Sequence, residues 1–177
     1  EETYHRLRYH FQYFNELSLF SEIHHSTNYS TNIYGSKQND VKFQSIHNLF
    51  HPSTIDGCFV HNGHGICYGI KDIDSKWNIA SHKHRIVEFD SQKLGILSLA
   101  FEEDYDPVSA GLVGIHTSDI LKVIEKLASF KSHLRDYSSK ISRIFDETID
   151  VKNGNIKRFT KFPVVEEYEM VFAGPHI

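Results

Sequence analysis

The residues best equipped for chemistry crowd between Ile46 and Val87, where His47, His51, His61, His64, His82 and His84 share one stretch with the two cysteines, Cys58 and Cys67. His61 and His64 stand three apart across a glycine turn, and His82 and His84 alternate as on one face of a strand. Four neutral imidazoles are a donor set that zinc accepts. The stretch has neither the helical His-Glu-x-x-His form nor the paired cysteines of a finger, so polar turn residues are the simpler reading. A metal-dependent hydrolase on these four histidines is the minor alternative. His61-Asn62 is too short to mark a His-Asn-His nuclease. A thiol beside a histidine makes a nucleophile pair, yet Cys58 and Cys67 each read as a small thiol buried in a strand. Gly63-His64-Gly65 lacks the third glycine and the following helix of a phosphate loop. Glu102, Glu103, Asp104 and Asp106 read as a solvated loop. Spacing alone yields no catalytic residue and no metal ligand set.

The basic residues say more. Lys76, His82, Lys83, His84 and Arg85 gather at the end of the histidine-rich stretch, and Lys157, Arg158 and Lys161 follow a later turn. If both clusters face one way they form a strip for phosphates, with Asn, His and Arg available to base edges. The candidate DNA contacts are these eight and Asn62. The opposing reading is scattered solubilising charge.

These groups need elements to position them. Gly57, Gly63, Gly65 and Gly69 between short apolar runs predict tight turns joining short strands, a loop-rich surface with the core supplied by its flanks. Tyr4, Leu7, Phe11, Phe14 and Leu17 share a helical stripe, predicting a helix over 4–17. Tyr29, Thr31 and Ile33 alternate as a strand closed by Gly35, and 36–42 reads as exposed loop. Asp90 or Ser91 caps a helix bearing Leu94, Leu97 and Phe101, although a buried strand over 94–101 also fits. Residues 102–114 read as loop. Thr117 or Ser118 caps the clearest helix, with Ile120, Ile124, Leu127 and Leu134 at core spacing and Asp119 in its first turn. Period-two alternation over 141–146, Asn153-Gly154 and the run 156–162 predict a hairpin. The fold class is α+β, short strands and hairpins packed with about three helices. The chain reads as a single excised region, 1–177, divisible into a loop-rich part, 1–89, and helices plus hairpin, 90–177.

The 177 residues, 40% hydrophobic and 13% aromatic, suffice for a folded body. A net charge of −4 supplies no global field for nucleic acid, so any grip on phosphates must be local. Two cysteines suit a reducing cytoplasm, and neither a membrane span nor a signal segment is visible. The chain opens without Met and closes on Gly174-Pro175-His176-Ile177, from which a longer parent polypeptide is expected.

The succession HFQYFNELSLF, NYSTNIYG, NLFHPSTIDGCFVHNGHG, GIKDIDSKWNIASHKHRIV, DETIDVKNGNIKRFTKFP and AGPHI resembles, in order and over nearly the whole chain, a family of large bacterial restriction–modification proteins. These are N6-adenine DNA methylases of the type IIG kind, with methylase, target recognition and often nuclease in one polypeptide. His82, His84 and Ile66-Cys67-Tyr68 depart from the family's pattern. The family's chemistry belongs to an S-adenosylmethionine domain with a glycine cofactor loop and an Asn/Asp-Pro-Pro-aromatic motif around the flipped adenine. Pro52, Pro107, Pro163 and Pro175 are never adjacent, so no catalytic residue carries over. The resemblance falls on the part after the catalytic motifs. It implies a segment inactive by itself that contributes to DNA binding or target recognition, with S-adenosylmethionine in the parent. Its expected partners are double-stranded DNA and the catalytic methylase domain of the same polypeptide. A structural scaffold between domains, making protein contacts only, is the second reading.

Overall fold

A computed structural model describes residues 3–102, 105–133, 136 and 146–158. The chain forms two compact units, Glu1–Lys131 and Ser132–Ile177. Within the first unit the helices after residue 90 pack against the strands before it. The fold is α+β.

The first unit is a four-stranded mixed sheet in the order β2-β1-β3-β4, with helices on both faces. A short helix α1 (Thr3–Arg6) leads into β1 (Leu7–Phe14), which pairs antiparallel with β2 (Asn28–Tyr34) and parallel with β3 (Lys42–Leu49). β3 pairs antiparallel with β4 (Val87–Asp90). The helix predicted over 4–17 is therefore mostly strand. Its apolar residues also satisfy a period of two, Leu7-Tyr9-Phe11-Tyr13, and aromatic side chains favour the pleated surface. A register shift between Leu7 and Tyr9 sends Leu7 to one face and Tyr9, Phe11 and Tyr13 to the other.

On the first face Leu7, Phe43, Val87 and Phe89 meet α3 (Ser91–Phe101) and α4 (Ser118–Ala128) through Leu94, Leu97 and Leu121, with Ile115 of the connection before α4. Each such buried Leu or Phe contributes on the order of 2 kcal/mol. Asp90 caps α3, accepting from the Lys93 amide at 2.8 Å, and Thr117 caps α4, as the sequence predicts. The core face of α4 is set by Leu121 and Ala128, with Ile124 partly buried, while Ile120 and Leu127 are exposed. Leu134 lies outside the described residues.

On the second face Phe11, Tyr13, Ile46 and Leu49 pack with Cys58 of α2 (Ser53–Val60). Here the sequence predicts turns and strands, and Gly57 is the reason for the difference. A Cβ at Gly57 would lie 2.0 Å from Ser81 Oγ, so the glycine lets a helix approach the returning chain. Cys58 is buried, but in a helix rather than a strand. The stretch 46–87 is also no mere surface: Ile46, Leu49, Phe50, Asn78 and Val87 are buried.

In the second unit, α5 (Glu147–Lys152) is capped by Asp146, which accepts from the Ile149 amide at 3.1 Å. Asn153-Gly154 terminates this helix, with Gly154 at φ +77° just beyond its end. Asn-Gly fits a helix stop and a hairpin turn equally, because both need a residue tolerant of positive φ. The alternation over 141–145 and the end of the run at 159–162 lie outside the described residues.

Candidate nucleic-acid interface

Between β3 and β4 the chain makes a long excursion that laces itself together with side-chain hydrogen bonds. Gly63 N donates to His61 Nδ1 at 2.9 Å and His64 N to Asn62 Oδ1 at 2.9 Å, closing a turn in which Gly63 and Gly65 take positive φ. Asn78 Nδ2 donates to the carbonyls of Tyr68 (3.3 Å) and Gly69 (2.8 Å), and His116 Nε2 bonds the Tyr68 carbonyl at 3.0 Å. A 3-10 turn, Lys83–Arg85, then delivers the chain to β4, capped by His82, whose Nδ1 accepts from the His84 amide at 3.1 Å.

Beside this turn lies a cleft of about 680 Å³, formed with β3, β4, α3 and the first two turns of α4. Asn62, Lys83, His84, Lys93, Ser118 and Lys122 supply its hydrogen-bonding groups, opposed by Glu88 and Glu125. Two of its lysines and its imidazole are partnered. Lys122 lies 2.8 Å and His84 3.3 Å from the carboxylate of Asp119, and Lys93 lies 3.5 Å from Asp90. The hydrogen bond and charge of Lys122 hold the Asp119 carboxyl below its usual range. Lys83 is exposed, and among the described residues no carboxylate pairs with it. This is a polar, mixed-charge surface, able to meet a few phosphates and to hydrogen-bond base edges. Asn62 Oδ1 already accepts one bond within the turn, and its amide N–H groups have no partner there.

Of the nine candidate DNA contacts, the structure brings Asn62, Lys83 and His84 together in the cleft. Lys76 is exposed but lies on the neighbouring turn around Asp72, whose Oδ1 accepts the Lys76 amide at 2.8 Å. His82 and Arg85 are 4% and 0% exposed, and so are not surface groups in this fold. Arg85 donates to the carbonyls of Ala80 (3.0 Å), His47 (3.2 Å) and Asn48 (3.0 Å), riveting the end of the excursion to β3. Lys157 and Arg158 belong to the second unit, where Arg158 pairs with Glu147 at 2.9 Å. Lys161 lies outside the described residues.

The rings of His61 and His82 lie 4.4 Å apart, tilted by 42°, and those of His82 and His84 meet edge-on at 4.9 Å. Burial, and then the neighbouring His61 and His84, push the His82 pKa down. Its buried Nε2 feels the carbonyls of His64 and Gly65 without completing a hydrogen bond. Among the described residues, no group of three or more His, Cys, Asp or Glu is placed to hold a metal ion.

A second arrangement escapes the sequence altogether. His47 Nε2 lies 2.6 Å from Ser45 Oγ and its Nδ1 3.0 Å from Gln12 Oε1, a nucleophile–base–orienter geometry in outline. Ser45 and His47 are both 0% exposed, and Ser45 Oγ also lies 3.1 Å from the His10 carbonyl. Burial, with His10 and His116 nearby, pushes the His47 pKa down to about 3. An inaccessible serine beside so weak a base makes a core network, not a catalytic dyad. The Ser-x-His spacing within a strand is its only sequence trace.

No family model, curated protein or solved structure matches this chain. Among the described residues, no helix is long and apolar enough to cross a membrane.

Proposed function

We propose that this chain is a non-catalytic, DNA-engaging segment of a cytoplasmic bacterial restriction–modification adenine methylase, and that the cleft between the Lys83–Arg85 turn and α4 meets the duplex. Methyl transfer belongs to a separate domain that binds S-adenosylmethionine. The reading rests on the resemblance of the sequence blocks. The structural observation that carries it is the cleft, which joins Asn62, Lys83 and His84 to Ser118, Lys93 and Lys122.

Three lysines there set the electrostatic scale. Each phosphate neutralised adds about −0.9 to the slope of log K against log salt. With Lys93 and Lys122 held by aspartates, the slope should fall between about −1 and −3. Fluorescence anisotropy of a labelled duplex against the whole chain, titrated at several salt concentrations, measures it. Lys83→Gln should weaken binding and flatten the slope by about one, whereas Lys76→Gln should change neither. A Lys83 variant with unaltered affinity and slope refutes the assignment to this cleft. Absence of binding at low salt favours a scaffold making protein contacts only, a reading that the net charge of −4 also supports.

A further inference from the structure

We propose that β2 is a self-pairing edge, through which two copies of this chain join their sheets antiparallel about a two-fold axis at Thr31. The proposal stands independently of the DNA-binding reading.

Among the described residues β2 is the outermost strand, and six of its seven residues are exposed. Such an edge presents unpaired backbone groups over about 23 Å, and proteins usually blunt it with lysine, proline or inward charge. This one has none of these. Asn28–Tyr34 contains no charged residue and no proline, and no Lys or Arg occurs from Tyr9 to Ser36. Tyr29, Thr31, Ile33 and Tyr34 are instead residue types that favour strand pairing. Apart from Arg8, whose guanidinium is tied to the Ser36 carbonyl just beyond the strand's end, the edge carries no lysine or arginine, which makes it a poor match for nucleic acid or an anionic lipid surface, and an uncharged strand can meet itself without repulsion.

Self-complementarity selects a second copy over an unrelated strand. Pairing about Thr31 sets Thr31 against Thr31 of the second copy, Ser30 against its Asn32, and Tyr29 against its Ile33. Thr–Thr and aromatic–β-branched pairs are among the favourable cross-strand contacts. The register also brings together apolar groups left uncovered in one copy. At the Asn28 end, Leu19, Phe20, Ile23 and Tyr29 line a shallow hollow of about 520 Å³, with Phe20 set edge-on to Tyr29 at 5.0 Å. At the other end, Ile33 and Tyr34 are 46% and 53% exposed. The two-fold lays each copy's Ile33, which shares the face of Tyr29, beside the other's hollow, an isologous contact that closes at two. The hollow is preformed. Buried Asn15 binds its rim, with Nδ2 donating to the Phe20 and Ile23 carbonyls at 2.8 and 3.1 Å and Oδ1 accepting from the Phe20 amide at 3.0 Å. Little ordering therefore remains for association to impose.

Sedimentation equilibrium of the whole 177-residue chain tests the proposal. The wild-type chain should dimerise in the micromolar range. Thr31→Lys and Thr31→Glu place like charges across the axis at an exposed position, so each alone should dimerise at least about tenfold more weakly with an unchanged circular dichroism spectrum. Mixed in equal amounts, the two should associate again. A wild-type chain that stays monomeric throughout the range overturns the proposal and leaves the edge to a different partner. A Thr31→Lys variant that dimerises like wild type overturns it too, as does a mixture that fails to associate.

Discussion

Acid should unfold the first unit through two histidines that the fold keeps neutral. His47 and His116 are 0% and 3% exposed, and burial lowers their pKa values to about 3 and about 4. Arg85 adds its charge against His116. In the unfolded chain both titrate near 6.5, so below that pH the unfolded state binds more protons than the native one. Stability is fully present above about 6.5 and is lost as the pH falls towards the native pKa values. At pH 5 each histidine costs about 2 kcal/mol, from 1.36 kcal/mol per unit over about 1.5 units of net protonation. Their sum, about 4 kcal/mol, is a large part of the 5–15 kcal/mol typical of a domain. Carboxylates barely titrate between pH 7.5 and 5, which isolates the imidazole contribution. Urea unfolding followed by the one tryptophan, Trp77, which packs on Phe50 at 4.9 Å, reads this unit. The midpoint should fall by about 2 M between pH 7.5 and 5 for an m near 2 kcal/mol/M. His47→Gln should lower stability at neutral pH and remove about 2 kcal/mol of the pH dependence, the lowered His10 and His82 contributing to what remains. A midpoint constant over that range, or a His47→Gln protein with the full pH dependence, refutes the reasoning.

Two further substitutions probe how the excursion is held. Gly57→Ala drives a methyl group into Ser81 and should destabilise by about 1–3 kcal/mol in thermal melts, with Ser81→Gly in the same chain recovering most of the loss. Arg85→Met strips donors from the carbonyls of Ala80, His47 and Asn48 and should cost about 1–3 kcal/mol for a buried acceptor left unsatisfied. Arg85→Lys should recover little, because an ammonium cannot reproduce the planar fork; full stability in either Arg85 variant would contradict the structure.

What was legible in the sequence was local. Asp90 and Thr117 announce α3 and α4 because a cap and the helix it starts are neighbours in the chain, and the alternation of β2 needs no distant partner. The misreadings occur where one pattern fits two structures. Tyr4, Leu7, Phe11 and Phe14 fit a helix, while Leu7, Tyr9, Phe11 and Tyr13 fit a strand, and the neighbouring β3 decides. Gly57 reads as a turn until Ser81 arrives beside it. The cleft was half visible: Asn62, Lys83 and His84 stand out by type, but Lys93, Ser118 and Lys122 reach it only through the packing of α3 and α4. Arg85 reads as a surface cation in the sequence because nothing in its neighbours announces carbonyls from β3.

The rivet formed by Arg85 separates the sheet from what hangs between β3 and β4. With both ends of the excursion anchored and Tyr68, Trp77 and Asn78 tied to the body, only its exposed turns at 64–66 and 73–76 can vary at small cost, about 0.6 kcal/mol for each doubling of a flexible loop. The arrangement is that of a socket with an exchangeable insert. Relatives or engineered versions can remodel the rim of the cleft near Asn62 while leaving the strands, their register and their folding untouched.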